Sequence, residues 1–552
     1  MESLLDLYGF VSVLLRLAEL AARTLLLGGV AFWAALLPPL RPRLPREDAA
    51  ALGATGRRLV LWGALAAVLT KLLGTGLGLA VLASTLEAPL AELLGAGFVQ
   101  ATGLSVLAML ALAALALPRG AVPGPARRLA LLLGGLALLG AVTAGSHAMA
   151  RTEDRGVLLA ATALHQAGAA LWLGGLPALL AALRLRPETA RLVGRRYSRF
   201  AAAGVGLVLV GVLGFWGGYI GGVEALYGTA YGAMAATKAV LFGLLLLLGL
   251  GNFLLLHHLT SVRTGLLRIR RFVEGEMAVG LAMLAVAASL TSVPPASDLP
   301  EDRVTWAEVA ERFTPEWPRL ASPDHADLAI PALQSRLDAE WQERQAAQRP
   351  QAFTPGEGLM PPRNAGDIAW SEYNHHWAGI MVLLVGLAAL LDATGRVPPA
   401  RHWPLVFLGL AGFILVRSDP EAWPLGHIPL LESLRDPEVV QHKLAGLLVV
   451  GFAVAEWAVR LGWLRGRARF VFPLAMLGGG VLLLAHTHAI GNVKEALLVE
   501  LSHLPLAVLA VAGGVARWTE LRGPEELARP ARWLWPLCLV LIGLLLILYR
   551  EA

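Results

Sequence analysis

Cysteine is nearly absent from this chain. Cys538 is the single one in 552 residues. No disulfide can form within the chain, and there is no CxxC thiolate pair to bind a soft metal or run redox chemistry. Charge is also scarce, at 16% of residues against 56% hydrophobic. No GxxxxGK[ST] phosphate loop occurs, nor the phosphorylatable aspartate motif of ion-pumping ATPases, so the chain is not a primary pump by itself. The HTH triplet at 486–488 lacks HExxH spacing and no nucleophile is placed beside a base, so no enzyme activity is expected. The apolar runs lack the period-2 alternation of barrel strands. The first of them has no basic head or clear cleavage site, and is read as a first span rather than a removable signal.

What is present is long apolar sequence. About 14 runs approach the ~20 residues needed to cross a ~30 Å hydrocarbon core. They centre on 9–37, 60–83, 99–117, 129–149, 157–183, 201–221, 234–256, 277–293, 376–392, 404–417, 441–459, 470–487, 501–516 and 533–549. Backbone polar groups must be satisfied internally in lipid, so these runs are helices. The expected fold is an all-α, polytopic membrane helical bundle, with the lipid bilayer as its surroundings. The net charge of +6 does not point to nucleic acid. Arginine collects in short loops such as RPRLPREDAAALGATGRR, SVRTGLLRIRR and RLGWLRGRAR, which fall on alternate connections and mark the cytoplasmic side. Both termini are then expected outside.

Residues 295–372 interrupt the pattern with a polar, proline-rich segment that carries tryptophan and mixed charge. The expected division is an eight-helix membrane domain (1–294), an extracytoplasmic cap or linker (295–372) and a six-helix, histidine-rich membrane domain (373–552).

Histidine placement is uneven. Of 13 histidines, only His257, His258 and His402 fall on the cytoplasmic side of this topology. NHHWAG, QHKLAG, LLLAHTH and ELSHLPLA bring His376, His442, His486 and His503 to similar depth on four helices. Imidazole is a good ligand for copper, zinc and haem iron, and facing helices of a bundle are a usual place for such a site. His375, His488 and His427 are candidate alternates or supporting groups. In the front half, His147 and Met149 (GSHAMA) and His165 make a second candidate metal site, since imidazole and thioether suit copper.

Intramembrane charges are few. Arg16, Glu19 and Arg23 share one face of the first helix, where a structural ion ladder is expected. Lys71 and Lys238 are expected to snorkel to the outer surface. Glu276, Glu456 and Glu500 read as interfacial carboxylates, with Glu276 also a candidate acceptor for a cation leaving the membrane. Gly-rich runs such as LGGLPALL and LGGGVLLLA read as small-residue faces for close helix approach.

Five stretches of the front half form an ordered set: AVTAGSHAMA, LHQAGAALWLGGLPALL, RRYSRFAAAGVGLVLVGVLGFW, ALYGTAYGAMAATKAVLFGLLLLLGLGNFLLL and EGEMAVGLAMLAVAASLTSVPP. Over roughly residues 10–295 the chain resembles the CopD copper-resistance family of bacterial inner-membrane proteins. The resemblance implies copper handling, with copper ion moved from the periplasm toward the cytoplasm, often alongside a periplasmic copper carrier protein. No carrier domain precedes the first span, and the back half lies outside the family's core. Two further readings stay open: electron transfer with a b-type haem in the back half, and a scaffold whose histidines only form hydrogen bonds.

Overall fold

The computed structural model describes residues 2–86, 89–118, 122–258, 262–300, 303–324, 328, 365–420, 422–426, 428–434, 437–485 and 494–551. Fourteen long helices organise these residues: α1 (Glu2–Val30), α2 (Arg46–Leu86), α3 (Gly97–Ala116), α4 (Pro125–Ala144), α5 (Arg155–Trp172), α6 (Pro187–Phe215), α7 (Ala230–His258), α8 (Val262–Ser289), α9 (Ala365–Ala393), α10 (Val406–Arg417), α11 (Pro437–Arg460), α12 (Val471–Ala485), α13 (Lys494–Arg522) and α14 (Glu525–Ile547). From α2 onward, 13 spans built on these helices are long and apolar enough to cross a membrane. Among the described residues there is no strand. The chain is a multi-pass, all-α membrane protein.

Local sequence sets the helix ends. Proline occupies the first turn of α4 and α6, where its missing N–H is no loss. The apolar run around 404–417 is short for a span, and α10 has only 12 residues. A 3-10 run over Pro398–Leu405 leads straight into it, and together they reach the 20 residues of a crossing.

The chain forms two compact units. The front unit comprises Tyr8–Val223 and Lys238–Ala288; the back unit comprises Met1–Leu7, Glu224–Thr237 and Ser289–Ala552.

In the front unit, α6 and the π-helical turn that continues it (Trp216–Ile220) place a glycine against α5 every seven residues, which is two turns and therefore one face. Gly204 lies on Gly168, Gly211 on Ala161 and His165, and Gly218 on Leu158. A Cβ at any of these would run into the facing helix. The LGGLPALL run acts similarly, since Gly174 lies against Thr24 and Gly28 of α1. In LGGGVLLLA only Gly480 meets a facing helix, at Ala507 and Val511, while Gly478 and Gly479 face open space.

In the back unit six helices close a ring in the order α9, α14, α13, α12, α11, α10 and back to α9. Gly379 and Gly543 let α9 and α14 approach closely. The ring's interior is filled by Trp403, Phe407, Phe472 and Trp535 with the aliphatic residues around them. Their rings meet edge-on or tilted at 5.2–6.3 Å, the arrangement aromatic quadrupoles prefer.

Candidate functional site

The back unit gathers its chemistry at the end where α9 begins. His375 and His376 are neighbours on α9, so they face different directions, and they have opposite tautomers. The backbone N–H of Arg319 donates to His376 Nδ1 at 2.7 Å. His376 Nε2 meets the Tyr549 carbonyl at 2.7 Å, and a carbonyl only accepts, so Nε2 carries the proton. Both ring nitrogens are therefore engaged, on a side chain that is 5% exposed. His376 joins the polar segment and the C-terminal end to α9, and has no lone pair for an ion in this arrangement. Replacing it with alanine is expected to strand two backbone groups, at about 1–3 kcal/mol each. Thermal unfolding in detergent checks the loss, and metal content should stay as in the parent protein.

His375 is the histidine that meets His503. Its Nδ1 lies 2.8 Å from the Ser371 carbonyl, and His503 Nδ1 lies 2.9 Å from the Val499 carbonyl. Each Nδ1 is thus the protonated nitrogen, and each lone pair sits on Nε2. A carbonyl holding one ring nitrogen so that the other can ligate is the usual support of a metal-bound histidine. The two ring centroids are 5.8 Å apart at 88°. Tyr549 stacks on His375 at 3.9 Å and meets His503 edge-on at 5.6 Å. Glu551 accepts hydrogen bonds from Tyr549 and Ser371.

The described part of the polar segment lies on this end. Thr305 and Glu308 form a capping box that starts the helix Trp306–Arg312. Beyond it, Arg319 pairs with Glu372, Trp377 donates to the Leu320 carbonyl, and Arg550 pairs with Glu316. A crevice of about 240 Å³ remains there, walled by Trp317, Glu372, His376 and Tyr549.

His442 does not join this cluster. Its Nδ1 lies 2.6 Å from Asp419, which also holds Lys443 at 3.2 Å. Burial would raise the Asp419 carboxyl, but hydrogen bonds from His442, Ser418 and Lys443 outweigh it and hold the group below the usual carboxylate range. His486, His488 and His427 lie outside the described residues. Among the described residues no group of three or more His, Cys, Asp or Glu side chains is placed to hold an ion. Among the described histidines, His375 and His503 meet as a pair.

In the front unit, His147 and Met149 are exposed on the short helix His147–Ala150. His165 lies ten residues inside α5, roughly 15 Å along the axis from its start. The His165 ring packs on Phe215 at 5.4 Å, and its buried Nδ1 has no hydrogen-bond partner. Lys238 is close enough to act on it electrostatically, and opposes any positive charge placed there. Lys71 does not snorkel. Its ammonium lies 3.7 Å from Glu19, which also binds Arg16 at 2.7 Å and Arg23 at 3.1 Å.

Glu276 is buried among the helices, at 3% exposed. Trp172 Nε1 donates to its Oε2 at 3.0 Å, and the Asn252 side-chain amide donates to its Oε1. A helix break places the tryptophan. The Leu176 N–H turns back to the Leu173 carbonyl in a 3-10 turn, which deprives the Trp172 carbonyl of its helical donor. The Tyr197 hydroxyl replaces that donor. Gly175 makes room for it, since a Cβ there would lie 2.6 Å from the tyrosine ring. The signal for this site was a polar residue in each of four apolar motif stretches, but no spacing rule connects residues 172, 197, 252 and 276.

Three of those four residues fall inside the region matched by a known family. A family model described as copper resistance protein D, CopD, matches residues 190–290. The chain is also 36% identical over 179 residues to the copper transport protein CutJ of Bacillus subtilis (strain 168). Residues 190–290 thus match the CopD family. The alignment with CutJ covers 30% of this chain and 30% of that relative. No solved structure matches the chain. Tyr197, Asn252 and Glu276 lie in the matched residues and Trp172 ahead of them.

Proposed function

We propose that this protein is a copper permease of the bacterial inner membrane, which takes copper ions from the periplasmic side toward the cytoplasm and catalyses no reaction. The observation that carries this reading is the CopD match together with the 36% identity to a protein named for copper transport. In the proposed orientation both termini and the His375–His503 end face the periplasm. His375 and His503 capture the ion in the back unit, with His486 and His488 as further donors. In the CopD half, His147 and Met149 receive copper at the outer surface. His165 offers its unpaired Nδ1 as a transient stop, because Lys238 nearby keeps a bound cation from resting there. A periplasmic copper carrier is the proposed partner. An inside-negative potential supplies about 2.3 kcal/mol per charge per 100 mV for inward movement. No observation favours haem, and the centre of the back unit is already filled by aromatic rings.

Reconstitution of the full chain in lipid vesicles tests the proposal. Copper should accumulate when an inside-negative potential is imposed, and accumulation should fall when the potential is collapsed. Vesicles that gain no copper beyond protein-free controls under either condition would falsify it.

A further inference from the structure

Glu276 differs from the buried carboxylates Glu19 and Glu456. Glu19 and Glu456 each hold arginine, whereas the hydrogen bonds of Glu276 come only from two neutral donors, the Trp172 indole and the Asn252 amide. Among the described residues no lysine, arginine or histidine pairs with it. Two neutral donors do not offset the desolvation of a full charge inside a membrane domain, so an unneutralised carboxylate there is strongly unfavourable. A second orphan lies beside it. Asn252 is 6% exposed, and its Oδ1 has no partner. The pocket therefore holds one carboxylate and one unpaired amide oxygen, both short of positive charge.

The geometry points to a proton-binding site: Glu276 takes up a proton to become the neutral acid and gives it back in the course of transport. The step is RCOO⁻ plus H⁺ giving RCOOH, with no other bond changed. Copper is the poorer occupant. It favours imidazole, thiolate and thioether, whereas carboxylate and carbonyl oxygens suit hard ions. Among the described residues Glu276 belongs to no group of three or more His, Cys, Asp or Glu side chains placed to hold an ion. The proton, unlike a metal, needs a single oxygen. Once protonated, Glu276 can itself donate, and Asn252 Oδ1 becomes its acceptor if the amide turns over. The orphaned oxygen is then satisfied in the protonated state and the amide nitrogen in the ionised state. Tyr197 and the 3-10 turn at Leu173–Gly175 hold the Trp172 indole in place through both.

The link between this proton and copper movement rests on the permease reading above; the proton site itself does not. The full chain in lipid is titrated and followed by infrared difference spectroscopy. A protonated-carboxyl C=O band should appear as pH falls, vanish in Glu276→Gln and shift in Trp172→Phe, which removes one donor from the same group. A carboxyl band unchanged in both variants overturns the site. In vesicles loaded with a pH dye, copper entry should be accompanied by proton movement that Glu276→Gln abolishes. Copper entry with proton movement equal in both proteins overturns the coupling. If parent vesicles move no copper at all, the permease reading fails, and the infrared band still decides whether Glu276 binds a proton.

Discussion

Replacing both His375 and His503 with alanine is expected to remove the copper that the back unit is proposed to bind, while the chain still inserts and folds. Both rings use Nδ1 to hold a carbonyl of their own helix, so Nε2 is the nitrogen proposed to ligate. A metal-to-imidazole nitrogen distance is about 2.0–2.1 Å, so rings with centroids 5.8 Å apart can share one ion after a small rotation. Neither side chain supports a backbone group from another element through Nδ1, so their loss should disturb the fold little. Each single variant should weaken binding and the double variant should abolish it. His376→Ala is the matched contrast, one residue away, losing stability but not metal. Metal content by mass spectrometry and copper titration of purified protein read the outcome. Full copper occupancy in the double variant would rule out the pair as ligands.

The second large effect is structural. Glu456 is 1% exposed and accepts from Arg460 at 2.9 Å and Arg517 at 3.0 Å. Arg460 also pairs with Asp392, and Arg517 with Glu520 at 2.6 Å. Arg532 adds a third cation, 3.6 Å from Glu520. Three carboxylates thus face three guanidiniums, and the network rests on the aromatic interior. Arg460 lies over Trp403 at 4.6 Å, Arg517 over Trp535 at 5.1 Å, and the Trp535 indole donates to Glu520 at 2.7 Å. Glu456→Ala leaves one buried cation in excess. Breaking such a pair costs roughly 3–5 kcal/mol, and the lower end is expected, because each arginine keeps another carboxylate. Glu456→Gln retains one acceptor oxygen and should lose less. Thermal unfolding in detergent should rank the parent above Glu456→Gln and Glu456→Ala lowest. Equal midpoints would show that the network contributes nothing net.

These arginines show how the sequence can be read correctly and incompletely at once. Arg460 and Arg532 end or begin helices beside arginine-rich loops, and their spacing along the chain reads as a topology signal. That reading is local and says nothing of Glu456, Asp392 or Glu520, which stand on other helices or other turns. The histidines repeat the lesson. The residue expected to ligate, His376, spends both nitrogens on the backbone of Arg319 and Tyr549, while its neighbour, set aside as an alternate, is the one stacked on Tyr549 and facing His503.

The sequence by itself determined the membrane character, the all-α fold, the number and approximate places of the long helices, and the resemblance of the front half to the CopD family. Each of these follows from local rules. A run of apolar residues at 1.5 Å per residue either spans hydrocarbon or does not, and in lipid its backbone has to bond within itself. Only the tertiary structure decided which imidazoles meet, which nitrogen of each carries the proton, and which carboxylates are neutralised. Those depend on the order of helices around a bundle, on close approaches such as Gly168 with Gly204, and on where a broken turn leaves a carbonyl free. Such contacts join residues separated by tens to hundreds of positions, and no period in the chain encodes them.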